Sequence, residues 1–288
     1  MSKKIFLVLF SLFLVFSDVA LVSAAAKEEP LVMGIFPRRN AKETIKLFQP
    51  IAEYLSHELG RNVQLVTAKN FETFWSDVKR KRFDIIHYNQ YDYIVSHKQF
   101  DYQVILKNEE FGSSSIAGSI WVRKDSGINN IEDLKGKKVA FGGGPKAMVS
   151  YIIPTFLLMN GGLKKQDYQE IFAKNPPNSL LSTYYKQTDA AGAGDRVVKL
   201  GVVAKQIDAE QMKLLIKSED LPHLPWAVKN TLPDELRAQI KTLMLKLNDT
   251  EDGKKILSEA KLTGLRDVKD HDYDQYRSIV NAVYGEQY

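Results

Sequence analysis

The feature that most constrains the fold is a regular alternation of short apolar segments and amphipathic helices. The apolar segment LVMGIF at 31–36 precedes a helix in which Phe48, Ala52 and Leu55 fall on one face. A polar strand-like segment, a second amphipathic helix and the apolar segment FDIIHY continue the pattern. Strands that alternate with helices of this length predict βαβ units, so we predict an α/β protein.

A second block of the same kind begins near residue 118. GSIWVRKDSG and KKVAFGGG predict strands, helices follow both, and the part of the chain after residue 238 is predicted to be mostly helical. Strand-like crossings at 115–121 and 221–228 connect the two blocks. We therefore predict two lobes, each a mostly parallel sheet flanked by helices, with a ligand cleft between them.

The crossings also define the predicted domain bounds. Residues 27–116 and 226–288 are expected to form lobe one, and residues 117–225 to form lobe two. Ligands of open α/β sheets bind beyond the carboxyl ends of the strands. The site is therefore expected where the two lobes face each other.

The first 26 residues have the layout of a secretory signal peptide. Lys3 and Lys4 precede an apolar run at 5–16, and AAA at 24–26 provides small residues for cleavage. An uncleaved membrane anchor is the alternative, but the apolar run is short for a bilayer. We predict an exported protein whose folded part starts near residue 27.

The composition excludes several kinds of chemistry. None of the 288 residues is cysteine, which excludes disulfides, thiolate metal sites and cysteine nucleophiles. The 40 basic and 35 acidic residues are spread along the chain and do not favour nucleic-acid binding. The five histidines lack metal-ligand spacing, and no catalytic triad or carboxylate pair stands out. We predict no metal, no cofactor and no enzymatic activity.

Two motifs at predicted strand ends suit a small ligand. In GGGPK at 142–146, backbone N–H groups and Lys146 could hold an anion, and a plain strand-to-helix turn is the alternative. HYNQYDY at 87–93 places tyrosines beside polar residues, and a packed helix start is the alternative. The serines at 113–115, Asp195 and His223 are weaker candidates, each with a purely structural alternative.

Several segments resemble the phosphonate-binding component of bacterial ABC transporters. These segments are KLFQPIAEYLSHELG, FDIIHYNQYDYIVSH, IWVRKDSGINNIEDLKGKKVAFG and LPDELRAQIKTLMLKLND, and the resemblance runs from about residue 31 to about residue 284. That family of periplasmic solute-binding proteins also takes phosphate, phosphite and related oxyanions. The resemblance implies a type II periplasmic binding protein whose two hinged lobes close on a small solute and deliver it to a membrane permease.

The resemblance also implies where the solute is held. The family's lobe-one pocket uses the loop after the first strand, here Pro37, Arg38 and Arg39, and the helix start after FDIIHY. Its lobe-two anion site is a Ser-Thr-Ser-Gly-Tyr run at a helix N-terminus, where this chain has AMVSY at 147–151. Only the tyrosine and one displaced serine remain. We therefore predict an altered pocket of the oxyanion-binding type.

These considerations yield one set of predicted ligand-binding residues: Pro37, Arg38, Tyr88, Asn89, Gln90, Tyr91, Ser114, Ser115, Gly143, Gly144, Lys146, Ser150, Tyr151, Asp195 and His223. We expect a periplasmic monomer whose partners are the solute and the permease. The alternative function is a ligand-sensing accessory protein that docks on a membrane histidine kinase.

Overall fold

A computed structural model describes residues 29–288 of the chain. The predicted signal peptide at 1–26 lies outside the described residues. The strands are β1 (Leu31–Ile35), β2 (Val63–Thr67), β3 (Ile85–His87), β4 (Tyr102–Glu109), β5 (Ser115–Ile116), β6 (Gly118–Arg123), β7 (Lys138–Gly142), β8 (Gln169–Ala173), β9 (Ala190–Gly194), β10 (Met212–Lys217), β11 (Leu221–Pro222), β12 (Pro225–Lys229) and β13 (Gly264–Asp267).

The α-helices flank these strands. They are α1 (Ala41–Leu59), α2 (Phe71–Lys79), α3 (Gln90–Phe100), α4 (Ile153–Asn160), α5 (Pro176–Tyr184), α6 (Gly201–Ala204), α7 (Asp234–Lys246), α8 (Glu251–Glu259) and α9 (Asp274–Tyr284). A π-helical turn, Met148–Ile152, leads directly into α4. Within residues 29–288, no helix combines the length and the apolar character needed to cross a membrane.

Two sheets organise the described chain. Lobe one contains a six-stranded sheet in the order β13-β4-β12-β3-β1-β2, and lobe two contains a five-stranded sheet in the order β10-β6-β9-β7-β8. The short antiparallel pair β5 and β11 forms the crossing between them. The lobe bounds at residues 27–116, 117–225 and 226–288 stay a prediction.

The sheets are mixed, which corrects the expectation of mostly parallel ones. Strand β1 pairs parallel with β2 and β3, and β7 pairs parallel with β8 and β9. Strand β12 is antiparallel to both of its neighbours because it returns from lobe two through the crossing. Strand β13 adds an antiparallel edge to lobe one in a region predicted to be helical.

Local sequence signals account for the longest helix. The Asn40 side chain caps α1 by accepting a hydrogen bond from the Glu43 N–H, and Gly60 ends it in the left-handed conformation. The helix continues through Pro50. Its buried face, which includes Leu47 and Ile51, packs in the core of lobe one.

Helix α9 connects the cores of the two lobes. It belongs to lobe one in sequence, yet it packs against both α3 and α4. Its residues Tyr276, Ile279 and Val280 join one buried apolar cluster with Tyr88 of lobe one and Phe141 of lobe two. The lobes therefore lie against each other and share buried apolar surface.

A glycine at the end of β7 sets how closely helix α5 approaches the sheet. A Cβ atom at Gly142 would lie 2.3 Å from the N and Cα atoms of Pro176. Because these are backbone atoms, the clash could be relieved only by moving the backbone of β7 or α5. We expect Gly142→Ala to lower the free energy of unfolding by about 1–3 kcal/mol, as overpacking does. Urea denaturation measures this change.

The matched control is Gly201→Ala. A Cβ atom there meets nothing within 4 Å, and the residue lies in helix α6. We expect this variant to be as stable as the parent or slightly more stable, because alanine favours helix. Equal stability of both variants would contradict the close approach of α5.

Candidate functional site

The loop after β1 brings a guanidinium group to the crossing. Arg38 Nη1 donates to Glu110 Oε1 at 3.2 Å, and the carboxylate is more buried than the guanidinium, with side chains 12% and 35% exposed. The Arg38 guanidinium also lies 5.8 Å from the Phe36 ring centroid. Pro37 is half-buried between these two residues. Arg38 is thus held by these contacts while 35% of its side-chain surface stays exposed.

A chain of buried hydrogen bonds supports Glu110 from behind. Asn108 Nδ2 donates to Glu110 Oε1 at 3.1 Å and lies 3.4 Å from His87 Nε2. Trp226 Nε1 donates to Asn108 Oδ1 at 2.8 Å, and the indole stacks on the His87 ring at 4.4 Å. His87 Nδ1 lies 2.9 Å from the carbonyl oxygen of Pro225, so this nitrogen carries the proton and Nε2 accepts.

These contacts determine the charge of the carboxylate. Burial acts to raise the pKa of Glu110, but the charges of Arg38 and His223 and the hydrogen bonds from Arg38 and Asn108 outweigh it and lower the pKa to about 2. Glu110 is therefore ionised at every physiological pH. It was not among the predicted site residues, because nothing in KNEEFG distinguishes it from a surface glutamate.

Lobe two contributes a second ion pair, Asp195 and Arg196, directly after β9. Asp195 Oδ1 accepts from the Ala117 N–H at 3.2 Å, and Arg196 Nε lies 3.8 Å from Asp195 Oδ2. Arg196 Nη1 reaches the carbonyl oxygen of Phe111, in a loop on the lobe-one side of the crossing, at 3.3 Å. Arg196 was also not predicted, although it directly follows the predicted Asp195.

His223 interacts electrostatically with the charged groups of both pairs and is 3% exposed. Its Nδ1 accepts the N–H of Leu224 at 2.9 Å, so the proton of the neutral ring is on Nε2. Burial lowers the pKa of His223 to about 4, with opposing effects from Glu110 and Asp195 and further lowering by Arg38 and Arg196. We call Arg38, Glu110, Asp195, Arg196 and His223 the hinge cluster.

The predicted serines belong to the crossing beside this cluster. The Ser114 carbonyl accepts the His223 N–H at 3.1 Å. Ser115 pairs with Pro222 in the crossing. The Ser113 hydroxyl donates to the carbonyl oxygen of Ser115 at 3.1 Å. The structure therefore brings Pro37, Arg38, Ser114, Ser115, Asp195 and His223 of the predicted set together at the hinge.

The residues before and within α3 are used mainly by the protein itself. Tyr88 is fully buried, and its hydroxyl lies 2.6 Å from Ser96 Oγ. Asn89 caps α3 by accepting the Asp92 N–H at 2.9 Å. Gln90 is also buried; it donates to the Pro222 carbonyl at 3.3 Å, and its Oε1 atom has no partner.

The lobe-two helix start is apolar where the resemblance implies hydroxyl groups. Met148 is buried, and the Ser150 hydroxyl donates to the carbonyl of Gly142. The Tyr151 hydroxyl donates to Glu170 Oε1 at 2.9 Å, and its ring packs on Phe141. Neither hydroxyl is left for a solute, so this segment lacks the side-chain donors of a Ser-Thr-Ser site.

The glycine loop at 143–146 faces helix α3. Gly143 and Gly144 adopt φ values of 106° and 156°, which side chains rarely tolerate. Lys146 Nζ lies 5.9 Å from the Tyr91 ring centroid. Burial raises the pKa of Asp92 to about 7, an effect that the positive charge of Lys146 reduces. Among residues 29–288, no group of three or more His, Asp or Glu side chains could hold a metal ion.

Comparison with known proteins identifies the family. Residues 33–273 match the family model described as ABC transporter, phosphonate, periplasmic substrate-binding protein. The chain belongs to this family. The phosphonates-binding periplasmic protein of Escherichia coli K12 is 22% identical over 240 residues, which cover 81% of this chain and 71% of that protein.

Solved structures support the same fold. PhnD1 from Prochlorococcus marinus, in complex with methylphosphonate, superposes with a TM-score of 0.76 at 15% identity, covering 88% of this chain and 97% of that one. A binding protein component of an ABC phosphonate transporter from Pseudomonas aeruginosa has a TM-score of 0.73 at 17% identity, covering 87% and 85%. The predicted type II periplasmic binding protein fold is confirmed.

The family also establishes the general role. The chain is a solute-binding component of an ABC transporter, as predicted, from a family of periplasmic proteins that work with a membrane permease. The comparisons give no support to the alternative of an accessory protein for a histidine kinase.

The two buried histidines predict a pH dependence of stability. The pKa of His87 is lowered by burial to about 3 and that of His223 to about 4, both below the usual 6.5. The unfolded chain therefore binds protons first as the pH falls. The stability that these neutral rings contribute is complete above about pH 6.5, declines as the unfolded chain takes up protons, and is lost once the pH has fallen through the folded pKa values of about 4 and 3.

His223→Asn isolates one of these contributions, since the amide oxygen can still accept the Leu224 N–H. Between pH 4.5 and 6, we expect the free energy of unfolding to depend less steeply on pH in this variant, by up to about 1.4 kcal/mol per pH unit. Urea denaturation at several pH values gives both slopes. Identical slopes would show that His223 titrates normally in the folded protein.

Proposed function

We propose that the chain captures a small oxyanion between its lobes for an ABC importer and that arginine side chains hold it. The observation that carries this proposal is the hinge cluster, in which each lobe supplies one guanidinium group, Arg38 and Arg196. Both side chains are partly exposed, at 35% and 27%. Guanidinium groups bind phosphonate and related anions through paired, charge-assisted hydrogen bonds.

The buried carboxylates serve to position these arginines. Glu110 and Asp195 are 12% and 13% exposed, so they lie behind the guanidinium groups relative to solvent. Arg39 is also close, and burial and the charge of Arg38 lower its pKa. The charges of Arg38 and Arg39 are offset by Glu110 and Glu43, and that of Arg196 by Asp195. His223 is neutral above its pKa of about 4.

His223 supplies a neutral donor in the same place. Because its Nδ1 accepts a backbone N–H, its Nε2–H is free to point toward a bound anion. The solute-binding set that we propose is therefore Arg38, Arg196 and His223, bordered by Pro37 and Ser114. Tyr88, Ser150 and Tyr151 are left out, because their hydroxyl groups are committed inside the protein.

Two related proteins support an oxyanion as the solute. The E. coli relative carries the name phosphonates-binding, and PhnD1 is in complex with methylphosphonate. The arginines supply hydrogen-bond donors in place of the hydroxyl groups that the resemblance implies at 147–149, where this chain has Ala, Met and Val. We further propose that the protein is exported by its signal peptide, acts as a monomer in the periplasm beside a membrane permease, and performs no catalytic step.

A solute panel tests the proposal. Methylphosphonate, phosphite, phosphate, methanesulfonate, acetate and methylamine are compared by thermal shift and calorimetry. At about 100 times its Kd, a bound solute stabilises the folded state by about 2.7 kcal/mol. We expect an oxyanion of this panel to raise the melting temperature by several degrees and methylamine to have no effect.

Arginine variants test the placement of the site. We expect Arg38→Gln and Arg196→Gln each to weaken binding at least about tenfold, the loss expected for a charge-assisted hydrogen bond. The control is Arg80→Gln, because Arg80 also pairs with a buried aspartate, Asp77, but lies at the end of α2. Equal affinity in all three variants, or binding of methylamine alone, would contradict the proposal.

A further inference from the structure

Residues 284–288, which we call the strap, run from helix α9 onto helix α3. The helix ends at Tyr284, and Gly285 takes a left-handed conformation with φ 70° that turns the chain. Tyr91 Oη and Tyr288 Oη each donate to Glu286 Oε2 at 2.9 Å. The Tyr91 and Tyr288 rings meet edge to face, with centroids 6.1 Å apart. The strap is thereby fixed to lobe one.

The same segment is also attached to lobe two. The Tyr284 hydroxyl donates to the carbonyl of Pro145, in the glycine loop that follows β7. Lys165 Nζ, from the segment after α4, lies 5.2 Å from the Tyr284 ring centroid. Residues 284 and 286 therefore contact different lobes, although they are only two positions apart.

Lys146 forms a second connection next to the first. Its Nζ atom lies 5.7 Å from the Trp75 ring centroid and 5.9 Å from that of Tyr91, and both rings belong to lobe one. A cation over an aromatic face is attracted by the ring quadrupole. Tyr91 is thus contacted by the ammonium group of lobe two and hydrogen-bonded to the carboxylate of the strap.

These contacts depend on the distance between the lobes. The contacts of Tyr284 with Pro145 and Lys165 join opposite lobes, and so do those of Lys146 with Trp75 and Tyr91, so moving the lobes apart breaks them. The hydrogen bonds of Glu286 lie within lobe one and hold the strap in place for these contacts. None of them involves a residue of the hinge cluster. Contacts present only in the closed arrangement raise its population whether or not a solute is bound.

We propose that the strap is an interlobe latch that holds the lobes closed before a solute binds. By favouring the closed arrangement, it raises the apparent affinity for the solute and slows its release. The inference goes beyond the proposed function and rests on it only in that the lobes open to admit a solute.

The absence of cysteine makes the test direct. Glu72→Cys on α2 and Lys174→Cys after β8 create the only two thiols in the chain, one on each lobe. Both positions are exposed; Glu72 lies in the helix of Trp75, and Lys174 follows Ala173, which accepts the Gly143 N–H. Spin labels on these two cysteines report the distance between the lobes by pulsed electron paramagnetic resonance. The measurement is made without any solute.

The variants remove one strap contact each. Tyr284→Phe removes the hydroxyl that reaches Pro145 and keeps the ring, and Glu286→Ala removes the acceptor of Tyr91. The control is Gln287→Ala, because Gln287 is exposed and lies within the same segment. We expect the closed-to-open ratio to fall about three- to tenfold in the first two variants, as for one lost hydrogen bond, and to match the parent in the control.

Identical distance distributions in the parent and all three variants would overturn the latch. The measurement contains no solute, so a chain that binds none of the tested oxyanions can still show the shift. Conversely, normal oxyanion binding with unchanged distances would leave the proposed function in place and refute the latch alone.

Discussion

The burial of the Glu110 carboxylate beside the crossing is the constraint on which the site depends. An ionised carboxylate at this depth is costly unless charged and polar partners surround it. Arg38 and Asn108 fill that role, and Asn108 is held in turn by Trp226 and His87. His87 must stay neutral for its Nε2 to accept, which burial ensures by lowering its pKa to about 3. One buried charge thus fixes the orientation of Asn108, Trp226 and His87 in lobe one.

Two separate sets of contacts connect the lobes. At the hinge, Arg196 of lobe two reaches the Phe111 carbonyl, and His223 interacts electrostatically with charged groups of both lobes. At the glycine loop, Pro145 and Lys146 meet the strap and the aromatic rings of lobe one. In our account, the first set binds the solute, and the second sets how readily the lobes separate. The helix start at 147–151, where the resemblance implies an anion site, takes part in neither, because Met148 is buried and the Ser150 hydroxyl donates to the Gly142 carbonyl.

The elements were predictable where local patterns are strong, and the site was not. Periodic apolar residues, the Asn40 cap and Gly60 define α1, and the crossings at 115 and 221 are visible as strand-like segments. Strand β13 was missed because GLRD is a short, polar edge strand whose pairing with β4 is tertiary. Strand β8 carries exposed Phe172 at a sheet edge and also lacks the pattern of a buried strand.

The site residues depend on contacts between distant positions. Arg38 and Glu110 are 72 positions apart, and Trp226 and Asn108 are 118 apart. No local spacing reveals such pairs, and the resemblance to a family pointed to Arg38 but not to Glu110 or Arg196. The strap is hidden for the same reason, since YGEQY has no motif and acquires its role from Tyr91 and Pro145.

A crystal structure of the protein with methylphosphonate tests whether the two arginines hold the solute. We expect phosphonate oxygens about 3 Å from guanidinium nitrogens of both Arg38 and Arg196, with His223 Nε2 facing the anion. An anion bound instead at the backbone of residues 147–151, with both arginines paired only to their carboxylates, would contradict this expectation.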